Sequence, residues 1–320
     1  MTVNSGPLRY EWIENWAKIP VQTGWAHHGL AVASDGSIVT GGATRSEILL
    51  LNPDGDVQKT FSVPVTETHG LAISREMDQD ILWIAATGDK VGVVAEYPPQ
   101  ILKCTLKGEV LAKLDQSDFD YADGELFNPT SLDVDSGTGK IWITDGYGSH
   151  RVHRFGADFK LELTLDGSTG AGRFGCPHGI HCRIRNGQTE IYIADRGNNR
   201  IQIFDTDGQF LRCLDDGWVT PSAFASFGDY LVVAELNARV VVLDQNDRML
   251  GEIGEGRHYL MNKGWPNRLG SDGETISPLH DIEPGTFNSP HGIAADPDGN
   301  IYVSEWLIGD RYTKLKRLGE

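Results

Sequence analysis

A short pattern recurs six times along this chain and leaves few folds open to it. Each copy starts with a leading residue before Gly-Ile, Gly-Leu or a close equivalent. It runs into an apolar, β-branched strand and then turns at Gly, Asn or Asp. The leading residues are His28, His69, Thr130, His178, Ser222 and His291, a spacing in the forties widened at two steps by insertions. The copy GCPHGIHCRIRNGQTEIYIADRGNNRIQIFDTDGQFL, residues 175–211, shows the internal plan. One strand ends near Ile184, a second runs from Glu190 to Ala194, a third from Arg200 to Asp205, and a fourth begins near Phe210. Asn186-Gly187, Gly197-Asn198-Asn199 and Asp207-Gly208 supply the turns that antiparallel neighbours need. Four strands at this period make one propeller blade. Six copies therefore predict an all-β fold, a six-bladed β-propeller occupying residues 1–320 as a single domain. The 38 glycines suit so many tight turns.

Two further segments fit this plan. Residues 8–19, LRYEWIENWAKI, are too apolar for a free tail. They are expected to give a strand to the last blade and so close the ring by removing an open edge. Residues 88–100 with 115–128 enlarge the second copy, and residues 254–289 separate the fifth from the sixth. The last of these carries His258, Tyr259, Trp265 and His280, which points to an ordered lid rather than a loose loop.

Composition narrows the function. The net charge of −17 argues against a nucleic-acid partner, since phosphate binding needs clustered positive charge. No apolar run reaches the ~20 residues needed to span a bilayer, and the first residues show no leader-like apolar stretch. A cytoplasmic protein with no membrane partner is expected, and a closed propeller needs no second copy, so a monomer is the default. The cysteines Cys104, Cys176, Cys182 and Cys213 are then reduced. Cys176 and Cys182 bracket two histidines in CPHGIHC. That could be a soft metal cluster, but packing is the better reading, because Cys182 shares the apolar face of Ile180 and Ile184.

The leading residues carry the chemistry. Inner strands of a propeller line its axis, and copies two, four and six all lead with histidine: His69, His178 and His291. Alternate blades sit roughly 120° apart, so three imidazoles at one level converge on an axial point. Three histidines with open positions form a catalytic rather than a closed structural metal site, with zinc or another divalent transition metal as the cofactor. The competing reading is a histidine that only hydrogen-bonds where its strand begins. His28 breaks the alternation and is expected to touch substrate, whereas His27 is expected at the surface. A second ring of polar residues follows the second strands: Asp145 and Tyr147, Asp195 and Arg196, Glu235, and Glu305. The two aspartates read as acceptors for turn amides. Glu235 and Glu305, with Trp265 of the insertion, are candidate substrate contacts. Tyr147 beside a metal can handle a proton, and Arg196 can clamp a carboxylate. Residue type alone leaves both also open to packing roles.

The pattern resembles the NHL-type propeller repeat, most closely in HGIAADPDGNIYV, residues 291–303. Copies three, four and six further resemble the catalytic propeller of the peptidyl-α-hydroxyglycine α-amidating lyases. The segments are PTSLDVDSGTGKIWITDGYGSHRVHRF, PHGI, IADRGNNRIQIF and PHGIAADPDGNIYVSE. The resemblance implies a zinc on His69, His178 and His291, a catalytic tyrosine at Tyr147, and an active-site arginine at Arg196. It also implies cleavage of a carbinolamide C–N bond to an amide and glyoxylate. Three departures stand out. Gly148 replaces the cysteine that follows the family's tyrosine. Gly292 replaces an aspartate linked to a structural calcium, leaving calcium open. A second family arginine falls near Ala43, with Arg45 the nearest candidate for substrate binding. The expected activity is a metal-dependent lyase on a small hydroxylated or carbonyl-bearing substrate. The alternatives are a metal-dependent lactonase or other hydrolase, and a non-catalytic scaffold.

Overall fold

In the computed structural model, which describes residues 1–20 and 22–319, the chain is an all-β six-bladed propeller with four-stranded antiparallel blades. The described residues group into two compact units, 1–60 with 223–320, and 61–222. Among them, no helix is long and apolar enough to cross a membrane.

The unit of residues 61–222 holds the second, third and fourth blades. The second is built of Gly70–Glu76, Gln79–Ala86, Gln100–Thr105 and Val110–Asp115. The third is Ser131–Val134, Ile141–Asp145, Arg151–Phe155 and Leu161–Leu165. The fourth is Pro177–Arg185, Gln188–Asp195, Arg200–Asp205 and Phe210–Leu214. These strands match the sequence reading because their turns are chemically closed. The Asp205 carboxylate accepts the amides of Asp207 and Gln209 at 2.9 and 2.8 Å, and Gly208 then takes the left-handed conformation at φ +82°. Second strands are buried on both faces, so their sequences are apolar runs instead of alternations. Trp83, Trp142 and Tyr192 from these runs are almost wholly buried.

The other unit repeats the plan. Leu30–Val32, Ile38–Gly41, Glu47–Leu51 and Val57–Ser62 form the first blade. Pro221–Phe227, Tyr230–Glu235, Arg239–Leu243 and Met249–Ile253 form the fifth. The sixth blade takes Pro290–Ala295, Ile301–Glu305 and Tyr312–Leu318 from the end of the chain. Its fourth strand is Leu8–Ile13, paired antiparallel with Tyr312–Leu318 so that Arg9 faces Leu318 and Ile13 faces Lys314. The expected N-terminal closure is therefore present, and Thr2–Ser5 adds a fifth strand outside it. Leu8, Tyr10 and Trp12 alternate inward to a core with Val232, Val240 and Phe287.

Insertion 254–289 carries regular structure of its own. It has a 3-10 turn at Arg257–Met261 and a small hairpin of Arg268–Leu269 with Thr275–Ile276. Asn288 donates to the Pro266 carbonyl at 2.5 Å, and Ile308 N–H donates to Asn267 Oδ1 at 2.8 Å. The segment around Trp265 is thus stitched to the strand ends of the sixth blade.

Candidate active site

Within residues 61–222, the turn after the second strand of blade three places Tyr147. Gly146 and Gly148 flank it where no Cβ fits. A Cβ on Gly146 would stand 2.4 Å from the Pro177 carbonyl oxygen, and one on Gly148 would stand 2.2 Å from both Asp145 Oδ1 and the Leu126 carbonyl oxygen. Asp145 closes the turn by accepting Ser149 N–H at 2.7 Å and also holds Asn128 N–H at 2.7 Å. The Tyr147 amide in turn donates to the Asn128 carbonyl at 3.2 Å. The tyrosine is locked from both sides before its ring is considered.

Its hydroxyl lies between two imidazoles, 3.3 Å from His69 Nε2 and 3.1 Å from His178 Nε2. The other ring nitrogens face backbone carbonyls: His69 Nδ1 the Thr130 oxygen at 2.6 Å, and His178 Nδ1 the Ser222 oxygen at 2.8 Å. A carbonyl oxygen can only accept, so each Nδ1 carries the proton and each Nε2 presents its lone pair towards Tyr147. This orientation, with a carbonyl fixing the tautomer behind a bare nitrogen, is how histidine is prepared to ligate a metal. Burial reinforces it by lowering the His69 pKa to about 3, which keeps the ring neutral. Thr130 and Ser222, which lead odd-numbered blades and looked like gaps in the histidine pattern, supply the carbonyls. Sequence reasoning missed that role because a backbone acceptor leaves no side-chain signature.

Arg196 completes the group. It lies over the Tyr147 ring at 5.4 Å, and its Nη2 is 3.5 Å from the Tyr147 hydroxyl and 3.3 Å from Cys176 Sγ. No carboxylate among the described residues pairs with it, and it is half-buried. A guanidinium withdrawn from water without an anion favours a bound one. Burial pushes the Tyr147 hydroxyl pKa up, opposed by Arg196, and likewise pushes the Cys176 thiol up. His69, His178, Tyr147 and Arg196 are thus brought together.

The other candidates sit elsewhere or do other work. His291 lies in the other unit, buried at the start of Pro290–Ala295, with its ring 4.7 Å from that of His27. His27, expected at the surface, is instead half-buried, because the ring also packs on Trp306 at 6.0 Å. His28, expected to touch substrate, is buried and spends Nε2 on the Tyr312 hydroxyl at 2.5 Å. Arg45 is exposed on the loop between the second and third strands of blade one. Trp265 donates its indole N–H to the Asn288 carbonyl at 3.1 Å.

Glu235 and Glu305, expected to touch substrate, are held in ion pairs. Both are fully buried, Glu235 against Arg239 and Glu305 against Arg311. Glu305 also accepts Asn288 and Ser289 N–H at 2.6 and 2.9 Å. Asp195 does the same in blade four, accepting Gly175 N–H at 2.7 Å and Arg200 Nε at 2.6 Å. Asp195 and Glu305 thus each hold the loop that leads into the histidine of their own blade, while Glu235 is held by Arg239. Cysteines 104, 176, 182 and 213 are free thiols. The CPHGIHC residues separate: Cys176 faces Arg196, while His181 Nδ1 and Cys182 N–H both meet Asp133 Oδ2 at 2.9 Å. At Gly292 a Cβ would be 2.5 Å from Ser304 Oγ and 2.8 Å from the His28 carbonyl oxygen, so the strand packing leaves no room for a side chain there.

Comparison with known proteins agrees with this picture. The NHL repeat family model matches residues 287–306. NHL repeat-containing protein 3 of Mus musculus is 30% identical over 209 residues, 62% of this chain and 58% of that protein. The peptidyl-glycine alpha-amidating monooxygenase of Mus musculus is 27% identical over 190 residues, 58% of this chain and 17% of that protein. The matched region thus spans less than two thirds of either relative's length. A streptogramin B lyase structure superimposes with a TM-score of 0.59 at 17% identity, covering 99% of this chain and all of the other, a likeness of fold. The chain is a six-bladed propeller whose residues 287–306 match the NHL repeat. It is related in sequence both to NHL repeat proteins and to the amidating monooxygenases.

Proposed function

We propose that this chain is a metal-dependent lyase acting on a small hydroxylated or carbonyl-bearing substrate that carries a carboxylate. One observation carries the reading: the Tyr147 hydroxyl sits between two imidazole Nε2 atoms of fixed tautomer, beside an arginine that has no acidic partner among the described residues. His69 and His178 are taken as two metal ligands, and His291 as the third from its equivalent place in the repeat. The metal, zinc or another divalent transition ion, would polarise the substrate oxygen as a Lewis acid. Arg196 binds the carboxylate and fixes the orientation of the reacting carbon. Tyr147 relays one proton. As the C–N bond breaks, its oxygen takes the proton of the substrate hydroxyl, its own proton passes to the departing nitrogen, and the hydroxyl carbon becomes a carbonyl. The relative named as an amidating monooxygenase supports this chemistry, as does the motif resemblance in copies three, four and six.

The test combines elemental analysis with turnover of an N-acyl-α-hydroxyglycine. The wild type should hold about one transition metal per chain, lost in a folded His69→Ala/His178→Ala variant. Tyr147→Phe should retain the metal and lose about 10²–10⁴-fold in kcat, while Arg196→Ala should mainly raise KM. Full turnover in both variants would overturn the roles of Tyr147 and Arg196. Release of an acyl carboxylic acid carrying oxygen from heavy-oxygen water, in place of an unlabelled amide, would point to hydrolysis instead.

A further inference from the structure

Three tryptophans from distant parts of the chain meet beside His291. Trp25 comes from the segment before blade one, Trp306 from the loop after the second strand of blade six, and Trp265 from insertion 254–289. Trp25 and Trp306 pack with ring centroids 5.4 Å apart at 61°, and Trp265 and Trp306 at 6.1 Å and 79°. His27 joins them 6.0 Å from Trp306, and its other side faces His291. All four rings are half-buried, not sunk in the core. Indoles left partly in water at such cost usually mark a surface that something else covers.

The cluster is built, not incidental. The Trp306 amide donates to the Ser289 carbonyl at 2.8 Å, two residues before His291. Trp25 bridges to Ile308 on the same loop, and Ile308 is tied to Asn267. Trp265 is fixed through Asn288. The three tryptophans are therefore held by hydrogen bonds, Trp25 and Trp306 through their backbone and Trp265 through its indole N–H, which lowers the entropy cost of binding against them. Rings that meet nearly at right angles form a corner with one wall face-on and another edge-on, the two arrangements an aromatic guest prefers. The members are three indoles and an imidazole, with no carboxylate among them, so a cation finds no counter-charge.

We infer that this corner, beside His291, binds a planar aromatic group on the substrate. The inference deepens the proposed lyase reading by naming the class of group the substrate carries, and it rests on that reading for His291 as a metal ligand.

The experiment uses full-length protein labelled with ¹⁵N-tryptophan. It follows the indole N–H resonances of the eight tryptophans, assigned with Trp25→Phe, Trp265→Phe and Trp306→Phe. Benzamide should shift the Trp25, Trp265 and Trp306 resonances and bind about five-fold tighter than cyclohexanecarboxamide, while acetamide and tetramethylammonium leave them unmoved. Trp306→Ala should weaken benzamide about five-fold or more. Should that variant misfold, Trp25→Ala makes the same test from the other wall. Equal binding of the saturated ring, preference for the quaternary cation, or no shift at these three resonances would overturn the inference. Metal content measured on the same samples keeps the two ideas apart. A metal-free wild type that still shifts with benzamide sinks the lyase reading alone, whereas a metal-loaded protein blind to benzamide sinks the aromatic corner alone.

Discussion

At the scale of single residues, the site depends on groups that are absent as much as on those present. Gly148 stands where the resembling lyases have cysteine. A Cβ there would meet Asp145 Oδ1 and the Leu126 carbonyl oxygen at 2.2 Å. The insertion segment 126–128 lies against the space a side chain would fill, and that same segment accepts the Tyr147 amide. The departure from the family pattern is thus a local repacking around the tyrosine turn. Gly148→Ala is expected to destabilise by about 1–3 kcal/mol, since neither backbone nor the buried carboxylate can yield cheaply. A thermal unfolding midpoint equal to the wild type would show that the turn relaxes freely. The histidines teach a related lesson. His69 and His178 were legible as candidates from the repeat, and so were Tyr147 and Arg196 from their motifs. What prepares the imidazoles, the carbonyls of Thr130 and Ser222, was not, because any residue can offer a carbonyl.

At the scale of elements, insertion 115–128 serves as a brace for blade three. Its Tyr121 hydroxyl donates to Asp145 Oδ2 at 2.8 Å and accepts from His153 Nε2 at 2.9 Å, while Phe119 and Phe127 stack at 4.1 Å. Sequence reading sized this insertion but gave it no role, since its anchor is a relay through residues far apart in the chain. The relay has a pH signature. Burial lowers the His153 pKa to about 3, against an ordinary value near 6.5. Between those values the unfolded chain binds a proton that the folded one does not, so stability from this group is complete above about pH 6.5 and is lost as pH falls towards 3. Burial raises the pKa of neighbouring Asp145, the opposite sign, so the useful quantity is a difference between variants. His153→Gln should be less stable than wild type near pH 7 and should show a shallower loss of urea midpoint between pH 6.5 and about 4.5. Parallel pH profiles would remove His153 as a contributor.

At the scale of the whole molecule, the fold was nearly all in the sequence, because a repeat states its architecture six times and one weak copy costs little. The second strands declared themselves as apolar runs and the turns as Asp-Gly or Asn-Gly. What the repeat did not show was the partners of its charged residues. Glu235 and Glu305 read as candidate site residues by their place in the repeat, and their pairing with Arg239 and Arg311, several residues on, was not legible there. The N-terminal segment tests how far the repeat logic reaches. Leu8–Ile13 completes the last blade, and Leu8, Tyr10 and Trp12 are each under 5% exposed. Burying such side chains contributes about 1.5–3 kcal/mol apiece, which together approaches the roughly 5–15 kcal/mol by which domains are stable at all. Removing residues 1–13 should therefore leave a chain that unfolds at far lower denaturant and aggregates through the bared edge of Tyr312–Leu318. Adding the synthetic 1–13 peptide in trans should recover part of the midpoint, because the backbone register Arg9 to Leu318 needs no covalent link. Trp12→Ala gives a milder version, expected to cost about 3–5 kcal/mol. A truncated chain that stays monomeric with a wild-type midpoint would mean that the last blade holds without its closing strand.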